Sequence, residues 1–305
     1  MRCDFLLLSL FVWSLLCVPT LGWGDVGHRT VAYLAEQHLT EQGKDFLNDL
    51  LPRTRDFDIS DAATWADTIK HRGRPETGVW HYVDVKDDPL GNHCKISPLP
   101  PVCKNKGCII SAIKEMTKQV NDENFNQTEA VMFLFHFIGD IHMPLHVEEY
   151  QKGGNLIKVS FDGRQGNLHG IWDTDMPHKI NGIRHNIKHN NEKPASLKWA
   201  KHLLQKNQHR PTTAVECADV TNPDVCVKKW AKEANHLNCA VVFKRGLPYI
   251  EGTDLADEYY DDAAPIIAEQ IYKAGVRLAA WINALAEQRH EKEAFVVQGD
   301  RMRDL

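Results

Sequence analysis

The chain has no internal repeat, no Gly/Ser linker and no low-complexity tract. Their absence excludes solenoid arrays and argues against a chain of loosely linked modules, so one compact domain is favoured. Basic charge is also not in excess, since 36 Lys and Arg face 41 Asp and Glu and the net charge is -5. The general electrostatic footprint of a duplex-binding protein is therefore excluded. Any contact with an anionic partner must be local.

Long apolar runs are absent beyond the N-terminus. There, Arg2 precedes a run from Phe5 to Val18 that ends in small residues at Thr20 and Gly22. The run is shorter than the ~20 residues that span a bilayer, which disfavours the alternative of a membrane anchor. We interpret residues 1–22 as a secretory signal peptide and expect a secreted, extracellular protein without a membrane contact. Cleavage after Gly22 would leave a tryptophan as the mature N-terminus.

Cysteines are few but even in number. Eight are present, and six remain once Cys3 and Cys17 leave with the signal peptide. Six cysteines in an exported chain favour three disulfides, with zinc thiolate sites as the alternative. Cys103 and Cys108 are close enough in sequence for a small loop, whereas the other pairings stay open at this point. Exported chains are also exposed to glycosylation, for which Asn126 stands in an acceptor sequence.

Helical periodicity dominates the sequence. Asp25 and Ser60 are predicted to cap two amphipathic helices near the N-terminus. The stretch EAVMFLFHFIGDIH, residues 129–142, is apolar nearly all round and is expected at the centre of a bundle, with Pro144 ending or kinking it. A further long helix is predicted from Asp261 to about Gln288.

Strand signals are restricted to residues 79–85 and to residues 156–161, which precede an Asp162-Gly163 turn. The fold class is therefore predicted as mainly α, a single-domain helical bundle with a little β structure. The last residues, 289–305, are interpreted as a frayed, charged C-terminal tail.

A histidine and an aspartate stand four residues apart on the most apolar helix, at His136 and Asp140. This spacing projects both side chains from one helix face. Burial of an ionised carboxylate requires a cation or a metal, and the helix carries no Lys or Arg. Alone, the pair could be a hydrogen bond of the core, but His146 follows, and His169 with Asp173 repeats the spacing. Nitrogen and oxygen ligands without thiolates suit zinc in an open catalytic site.

Further candidate ligands lie upstream, where Asp67 and His81 stand in apolar surroundings and His28 lies in the first turn of the first helix. The full set exceeds what one tetrahedral zinc can use, so several metals are expected. His142 is expected in the core or behind a ligand. The remaining histidines in polar segments are expected to be solvated at the surface: His185, His189, His202 and His209.

The ordered blocks WGDVGHRTVA, WAD, HYVDV, FHFIGDIHMPLH, GGN and NLHGIWD follow one another from Trp23 to about Asp175. Together they resemble the secreted trinuclear-zinc nucleases of fungi and plants, the mung bean nuclease type or S-one/P-one nucleases. That family is related in fold to zinc phospholipase C. The resemblance implies a phospholipase C/nuclease-like fold and one zinc-dependent nuclease domain over residues 23–288.

The resemblance also implies three Zn²⁺ ions and their ligands. The first zinc would be held by the free α-amino nitrogen and carbonyl oxygen of the mature N-terminal residue, together with two side chains: Trp23, His28 and Asp140. The second would share the bridging aspartate and take Asp67, His81, His136 and Asp140. The third would take His146, His169 and Asp173.

The implied chemistry is attack by a water shared between two zincs, leaving a 5′-phosphate product. Asp67 would orient this water and Lys70 would steady the transition state. Tyr82 would stack on an unpaired base and Asp84 would bind the base edge, with Asn155 nearby. The implied substrates are single-stranded DNA and RNA and 3′-nucleotides, cleaved by a monomer without a stable protein partner.

The family's two disulfides correspond by position to Cys94 with Cys239 and to Cys103 with Cys108. This assignment leaves Cys217 and Cys226 as the third bridge. The resemblance therefore completes the pairing that the spacing alone left open.

Two other functions compete with a nuclease. A zinc phospholipase C would share the fold and the metals, but the base-pocket pair Tyr82 and Asp84 argues against it, and a choline phospholipid assay separates the two. A secreted metal-binding protein without catalysis is the second alternative. The complete ligand set, with Asp67 and Lys70 present, argues against that alternative.

Overall fold

The computed structural model describes residues 23–94, 103, 105–183, 192–209 and 217–303. The predicted signal peptide lies outside these residues. Helices dominate the described chain, which confirms the mainly α class. The α-helices of these ranges are α1 (Asp25–Glu36), α2 (Glu41–Leu50), α3 (Ile59–Arg72), α4 (Ile109–Gln119), α5 (Gln127–Asp140), α6 (Leu168–Gly170), α7 (Met176–Ile180), α8 (Glu192–Asn207), α9 (Pro223–Leu237), α10 (Leu247–Gly252) and α11 (Glu258–Arg303).

Short helical turns join some of these helices. Two are 3₁₀ turns, Pro75–His81 and Pro144–Val147, and two are wide π turns, Ile171–Asp175 and Asn238–Val242. Three of these four turns carry or flank predicted ligands. The site is therefore built largely from irregular helical backbone around regular helices.

The apolar helix α5 occupies the centre of the bundle, as its sequence predicts. It packs against α1, α3, α4 and α11, and every residue from Ala130 to Asp140 is buried. The helix ends at Asp140, and Pro144 starts the next 3₁₀ turn. At its other end, exposed Asn126 caps the helix by accepting a hydrogen bond from the backbone of Glu129. Glycosylation of Asn126 stays a prediction.

Two predicted helix caps are wrong by one or two residues. Gly24 occupies the cap position of α1, so Asp25 is the first helical residue. Asp58, not Ser60, caps α3, because the Asp58 carboxylate accepts from the backbone of Ser60 while Asp61 accepts from the backbone of Asp58. This reciprocal capping box satisfies donors that Ser60 alone would leave unpaired.

The strand predicted over residues 79–85 is wrong. Pro75–His81 forms a 3₁₀ turn, closed by hydrogen bonds from Thr77 to the carbonyl of Arg74. Residues 82–85 are not part of a strand, and their backbone hydrogen bonds run to separate segments: Val83 donates to His146, Ile109 donates to Tyr82 and Glu149 donates to Val85. Side-chain burial still alternates along this segment although no sheet forms, since Val83 and Val85 are buried and Asp84 between them is only partly buried.

The second strand prediction is confirmed as an antiparallel hairpin, β1 (Lys158–Phe161) and β2 (Arg164–Asn167). The pairing joins Lys158 to Asn167 and Phe161 to Arg164. The turn at Asp162 and Gly163 adopts positive φ angles of 50° and 72°, which explains its Asp-Gly sequence. The hairpin leads directly into α6, which carries His169.

The C-terminal helix α11 continues to Arg303, so the prediction of a frayed tail from Arg289 is wrong up to that residue. The Arg289 guanidinium lies 4.5 Å from the ring centre of Phe46 and donates to the carbonyl of Val120 at 2.7 Å. These contacts fix the turn that follows Gln288. No helix in the described ranges combines the length and apolarity needed to cross a membrane.

Three disulfides are present: Cys94–Cys239, Cys103–Cys108 and Cys217–Cys226. This is the pairing that the family resemblance and elimination indicate. The first bridge joins the segment after residues 82–85 to the turn after α9, across 145 residues. Closing so long a loop restricts the unfolded chain strongly.

Candidate metal centre

The predicted ligands converge at one end of α5 and are all buried. The most exposed of them, Asp67, is only 6% exposed. The elements that supply them are α1, α3, the first 3₁₀ turn, α5, the second 3₁₀ turn, α6 and the following π turn. The converging residues are Trp23, His28, Asp67, His81, His136, Asp140, His146, His169 and Asp173.

The candidate ligands form three adjoining groups, which we number as sites one to three in the order of the predicted zinc ions. Site two consists of Asp67, His81, His136 and Asp140. His81 Nδ1 lies 3.0 Å from His136 Nε2 and 3.1 Å from Asp140 Oδ2. Asp67 Oδ1 lies 3.6 Å from His81 Nδ1 and 3.5 Å from His136 Nε2. Zinc bonds of 2.0–2.1 Å in a tetrahedron require ligand atoms about 3.3 Å apart. The four atoms therefore fit the corners of a zinc tetrahedron.

Site one is formed around the other oxygen of the same aspartate. Asp140 Oδ1 lies 3.1 Å from His28 Nε2, so this carboxylate faces sites one and two at once. Trp23 is fully buried beside them, and its indole donates to the carbonyl of Gly139 at 3.0 Å. The backbone of Gly24 donates to the carbonyl of Asp173 at 2.8 Å. The predicted mature N-terminus is thus held at the metal centre.

Site three consists of His146, His169 and Asp173. Asp173 Oδ2 lies 2.9 Å from His169 Nε2 and 3.9 Å from His146 Nε2. His146 Nδ1 is 3.8 Å from Asp140 Oδ1, so site three adjoins site one. The eight predicted side-chain ligands are therefore brought together in one continuous cluster, with Trp23 buried beside it.

Backbone carbonyls orient three of the ligand histidines, and sequence reasoning missed them because a carbonyl has no sequence signal. His136 Nδ1 donates a hydrogen bond to the carbonyl of Ala63 at 2.6 Å. In the same way, His146 Nδ1 donates to the carbonyl of His81 at 2.6 Å and His169 Nδ1 donates to that of Gly153 at 2.7 Å. With Nδ1 donating, each Nε2 presents a lone pair to the cluster. This is the arrangement that positions histidine ligands in metal sites.

The cluster is short of positive charge and of hydrogen-bond partners. Within the described chain, several of its buried polar atoms lack a hydrogen bond: His28 Nε2, Asp140 Oδ1, His146 Nε2, His169 Nε2 and both Asp173 oxygens. Burial lowers the pKa of His146, but Asp140 and Asp173 outweigh it and raise that pKa to about 9. Buried nitrogen and oxygen atoms without a hydrogen-bond partner need a cation near them, as the raised pKa of His146 shows. Metal cations would meet this need.

A fourth group, Asp87, Cys94 and Glu148, lies near the cluster and was not predicted. Its sulfur belongs to the Cys94–Cys239 disulfide and offers no thiolate. Burial, followed by the neighbouring Asp87, raises the pKa of Glu148 to about 8. The two carboxyl groups therefore fit a shared proton better than a zinc.

His142 belongs to the core, as expected, and not to the cluster. Its Nδ1 donates to the carbonyl of Ile138, and its Nε2 accepts from Arg277 at 2.9 Å. Burial and the Arg277 charge hold its pKa well below the usual value, so the ring is neutral. His202 and His209 are exposed as predicted, whereas His185 and His189 lie outside the described residues.

Gly139 allows α5 to meet α1, and its replacement tests the packing of the cluster. A Cβ at this position would lie 2.9 Å from His28 Nδ1, closer than real contacts allow. We expect Gly139→Ala to displace His28 and to reduce metal content and activity by about 10- to 100-fold. Metal analysis and turnover measure the effect. Gly78→Ala is the control, because a Cβ there meets no atom within 4 Å; equal behaviour of the two variants would contradict the packing argument.

The cluster of candidate ligands opens into a pocket of about 430 Å³. Three predicted substrate residues, Tyr82, Asp84 and Asn155, line it together with the ligands His81, His146 and His169. Its walls also include Leu145, Glu148, Glu149, Lys152 and Gly153, which sequence reasoning did not single out. The volume lies within the range of small-molecule sites.

Lys70 is buried at 8% exposure, which is unusual for a lysine on a helix. Its ammonium lies 2.5 Å from Asp67 Oδ1, one helical turn away. Burial alone would raise the pKa of Asp67, but His136, Lys70 and His81 lower it to about 2. Asp67 is therefore ionised, and the Lys70 ammonium lies beside the cluster of candidate ligands.

Comparison with known proteins matches a model of the S1/P1 nuclease family to residues 23–287 of this chain. The chain belongs to the S1/P1 nuclease family. Nucleic acid is accordingly its class of substrate. The resemblance stated from the sequence blocks is thereby confirmed.

Individual nucleases match this chain over a share similar to that of the family model. Nuclease S1 of Aspergillus oryzae is 37% identical over 282 residues, covering 88% of this chain and 93% of that protein. Nuclease P1 of Penicillium citrinum is 36% identical, covering 86% and 97%. Endonuclease 4 of Arabidopsis thaliana is 33% identical, covering 87% and 89%. Both fungal and plant nucleases are thus similar to this chain.

Proposed function

We propose that this family member is a secreted, zinc-dependent endonuclease of single-stranded DNA and RNA. It releases 5′-phosphate products and also acts on 3′-nucleotides. The observation that carries the proposal is that His81, His146 and His169 belong both to the metal groups and to the wall of the nucleotide-sized pocket. A phosphate at the metals therefore places its nucleotide in that pocket.

Zinc is the proposed metal because the ligands are histidine and carboxylate without thiolate, at tetrahedral spacing. Sites one, two and three would hold one ion each, with Trp23 completing site one. When bound, these ions supply a hydroxide nucleophile near neutral pH and neutralise the charge that develops on the phosphate and the leaving O3′. The ligand sets of the three sites adjoin one another at Asp140, which would suit this shared role.

Two side chains of α3 act at the reaction centre, one on the attacking water and one on the phosphate. Asp67 is ionised and accepts a hydrogen bond from the attacking water, which fixes the direction of attack. Lys70 donates to a non-bridging phosphate oxygen, whose charge increases in the transition state. The 2.5 Å contact between them keeps both groups in place before the substrate arrives.

Tyr82 provides the reason for single-strand preference. It is half-buried at the pocket wall beside Asp84, where an unpaired base can stack on its ring and donate to the carboxylate. A base within a duplex presents neither its face nor its pairing edge. Each base–aromatic contact contributes about 1–3 kcal/mol.

Replacing Tyr82 by Ala is expected to lower kcat/KM on single-stranded DNA by about 10- to 100-fold, from the loss of stacking. Tyr82→Phe retains the ring and serves as the matched control, with activity near that of the unchanged protein. The two variants are compared on one oligonucleotide. An unchanged kcat/KM in the Tyr82→Ala enzyme would contradict a role for Tyr82 in base stacking.

The function itself is tested by incubating the secreted protein with single-stranded DNA, RNA and duplex DNA. We expect fast release of 5′-phosphorylated products from both single strands and slow cleavage of the duplex. Phosphate release from a 3′-nucleotide is assayed in parallel. Hydrolysis of a choline phospholipid in place of nucleic acid would favour the phospholipase alternative.

A further inference from the structure

The backbone from Gln151 to Gly154 forms a left-handed turn at the edge of the pocket. Its four successive φ angles are 52°, 56°, 59° and 78°. Hydrogen bonds hold the turn in place, from Lys152 to the carbonyl of Glu149 at 2.8 Å and from Leu156 to that of Gln151 at 3.1 Å. The Asn155 amide also donates to the carbonyl of Lys152 at 2.8 Å. The unusual conformation is therefore fixed.

The backbone conformation explains why two residues of this turn are glycine, but it does not explain the lysine at position 152. A Cβ at Gly153 would lie 2.5 Å from the carbonyl oxygen of Leu145, so only glycine fits there. Glycine would also suit the φ of Lys152 better than any residue with a side chain. Strained residues of this kind concentrate at functional sites, and of the two non-glycine residues in the turn, Gln151 and Lys152, it is Lys152 that lines the pocket.

The surroundings of Lys152 point to a negatively charged ligand. It is the one Lys or Arg among the described residues that line the pocket, where Asp84, Glu148 and Glu149 also stand. The Asp84 and Glu149 carboxylates would repel a polyanionic strand, whereas the raised pKa of Glu148, about 8, keeps that group protonated near neutral pH. Lys152 is exposed and forms no ion pair with any part of the chain that the structure describes, whereas Lys86 pairs with Glu149 at 3.7 Å.

We propose that Lys152 binds a phosphate of the bound single strand next to the phosphate held at the metals. The inference rests on the proposed function, since it places a nucleotide in the pocket. A lysine ammonium is a compact charge that binds phosphate without demanding one orientation. Such contacts position a strand without reading its sequence. Lys152 is accordingly a substrate-binding residue at the pocket rim.

The test measures binding of a fluorescent, hydrolysis-resistant phosphorothioate single strand to the metal-loaded protein over a range of salt concentrations. Lys152→Gly removes the ammonium and also relieves the backbone, so we expect unchanged or higher thermal stability. Its Kd should rise about tenfold at low salt. Its plot of log K against log salt should lose about 0.7 from the magnitude of its slope.

Three control variants separate charge from backbone effects. Lys152→Arg keeps the charge and should bind as the unchanged protein does. Gln151→Gly relieves the neighbouring left-handed residue without removing a cation, and Lys201→Met removes an exposed lysine of α8 that does not line the pocket. Both should leave Kd and the salt slope nearly unchanged.

The proposal is overturned if Lys152→Gly leaves both Kd and the salt slope unchanged. A changed preference among homopolymers at constant slope would also overturn it, because it would indicate a base contact. Hydrolysis is measured separately on an ordinary oligonucleotide. A protein that binds with Lys152-dependent salt sensitivity but hydrolyses nothing would contradict the proposed nuclease activity and leave this inference standing.

Discussion

The Asp140→Asn variant should lose nuclease activity by on the order of a thousandfold or more, the largest loss expected from any single replacement. The two oxygens of Asp140 face different groups, Oδ1 at 3.1 Å from His28 and Oδ2 at 3.1 Å from His136. An asparagine presents only one metal-binding oxygen and no charge. Two of the three proposed metals would therefore weaken together. Turnover and zinc content are measured on the same preparation.

Single-ligand variants provide the comparison. His28→Ala and His81→Ala each remove a ligand from one site, so each should lose about one zinc and less activity than Asp140→Asn. Circular dichroism checks that every variant is folded. If all three variants lost the same activity and the same amount of zinc, Asp140 would not be a bridge.

An added glycine before Trp23 should reduce activity by about a hundredfold or more, since it converts the proposed amine ligand into a peptide nitrogen without a free lone pair. Trp23 is fully buried, with its indole bound to Gly139 and the next backbone amide bound to Asp173. An extension therefore cannot be accommodated by moving the ring away. Mass spectrometry of the secreted protein confirms which N-terminus is present.

The matched control for this extension is a single residue added at the C-terminus, which should leave activity unchanged. Zinc content should fall by one ion per chain in the N-terminally extended protein alone. Full activity with a full zinc complement in that protein would show that the α-amino group is not a ligand.

Much of the site could be predicted from the sequence because its ligands occur at helical spacing in apolar surroundings. The pairs His136 with Asp140 and His169 with Asp173 are both four residues apart, and in the structure their side chains meet at 3.1 Å and 2.9 Å. The burial of His136 and Asp140 could be predicted too, since α5 is apolar on every side.

The elements around His81 could not be predicted in the same way. Apolar alternation over residues 79–85 is typical of a strand, but no neighbouring strand exists in the described chain to pair with it. Local hydrogen bonds at Thr77 favour a 3₁₀ turn instead. The carbonyls of Ala63 and Gly153 that orient His136 and His169 depend on tertiary packing, which a local pattern does not encode.

Zinc content measured on the purified, secreted protein, before and after chelation, tests the central claim most directly. We expect three zinc ions per chain, loss of single-strand cleavage when they are removed, and recovery when zinc alone is restored. Full cleavage by protein stripped of metal, or a preparation that is active with less than one zinc per chain, would contradict it.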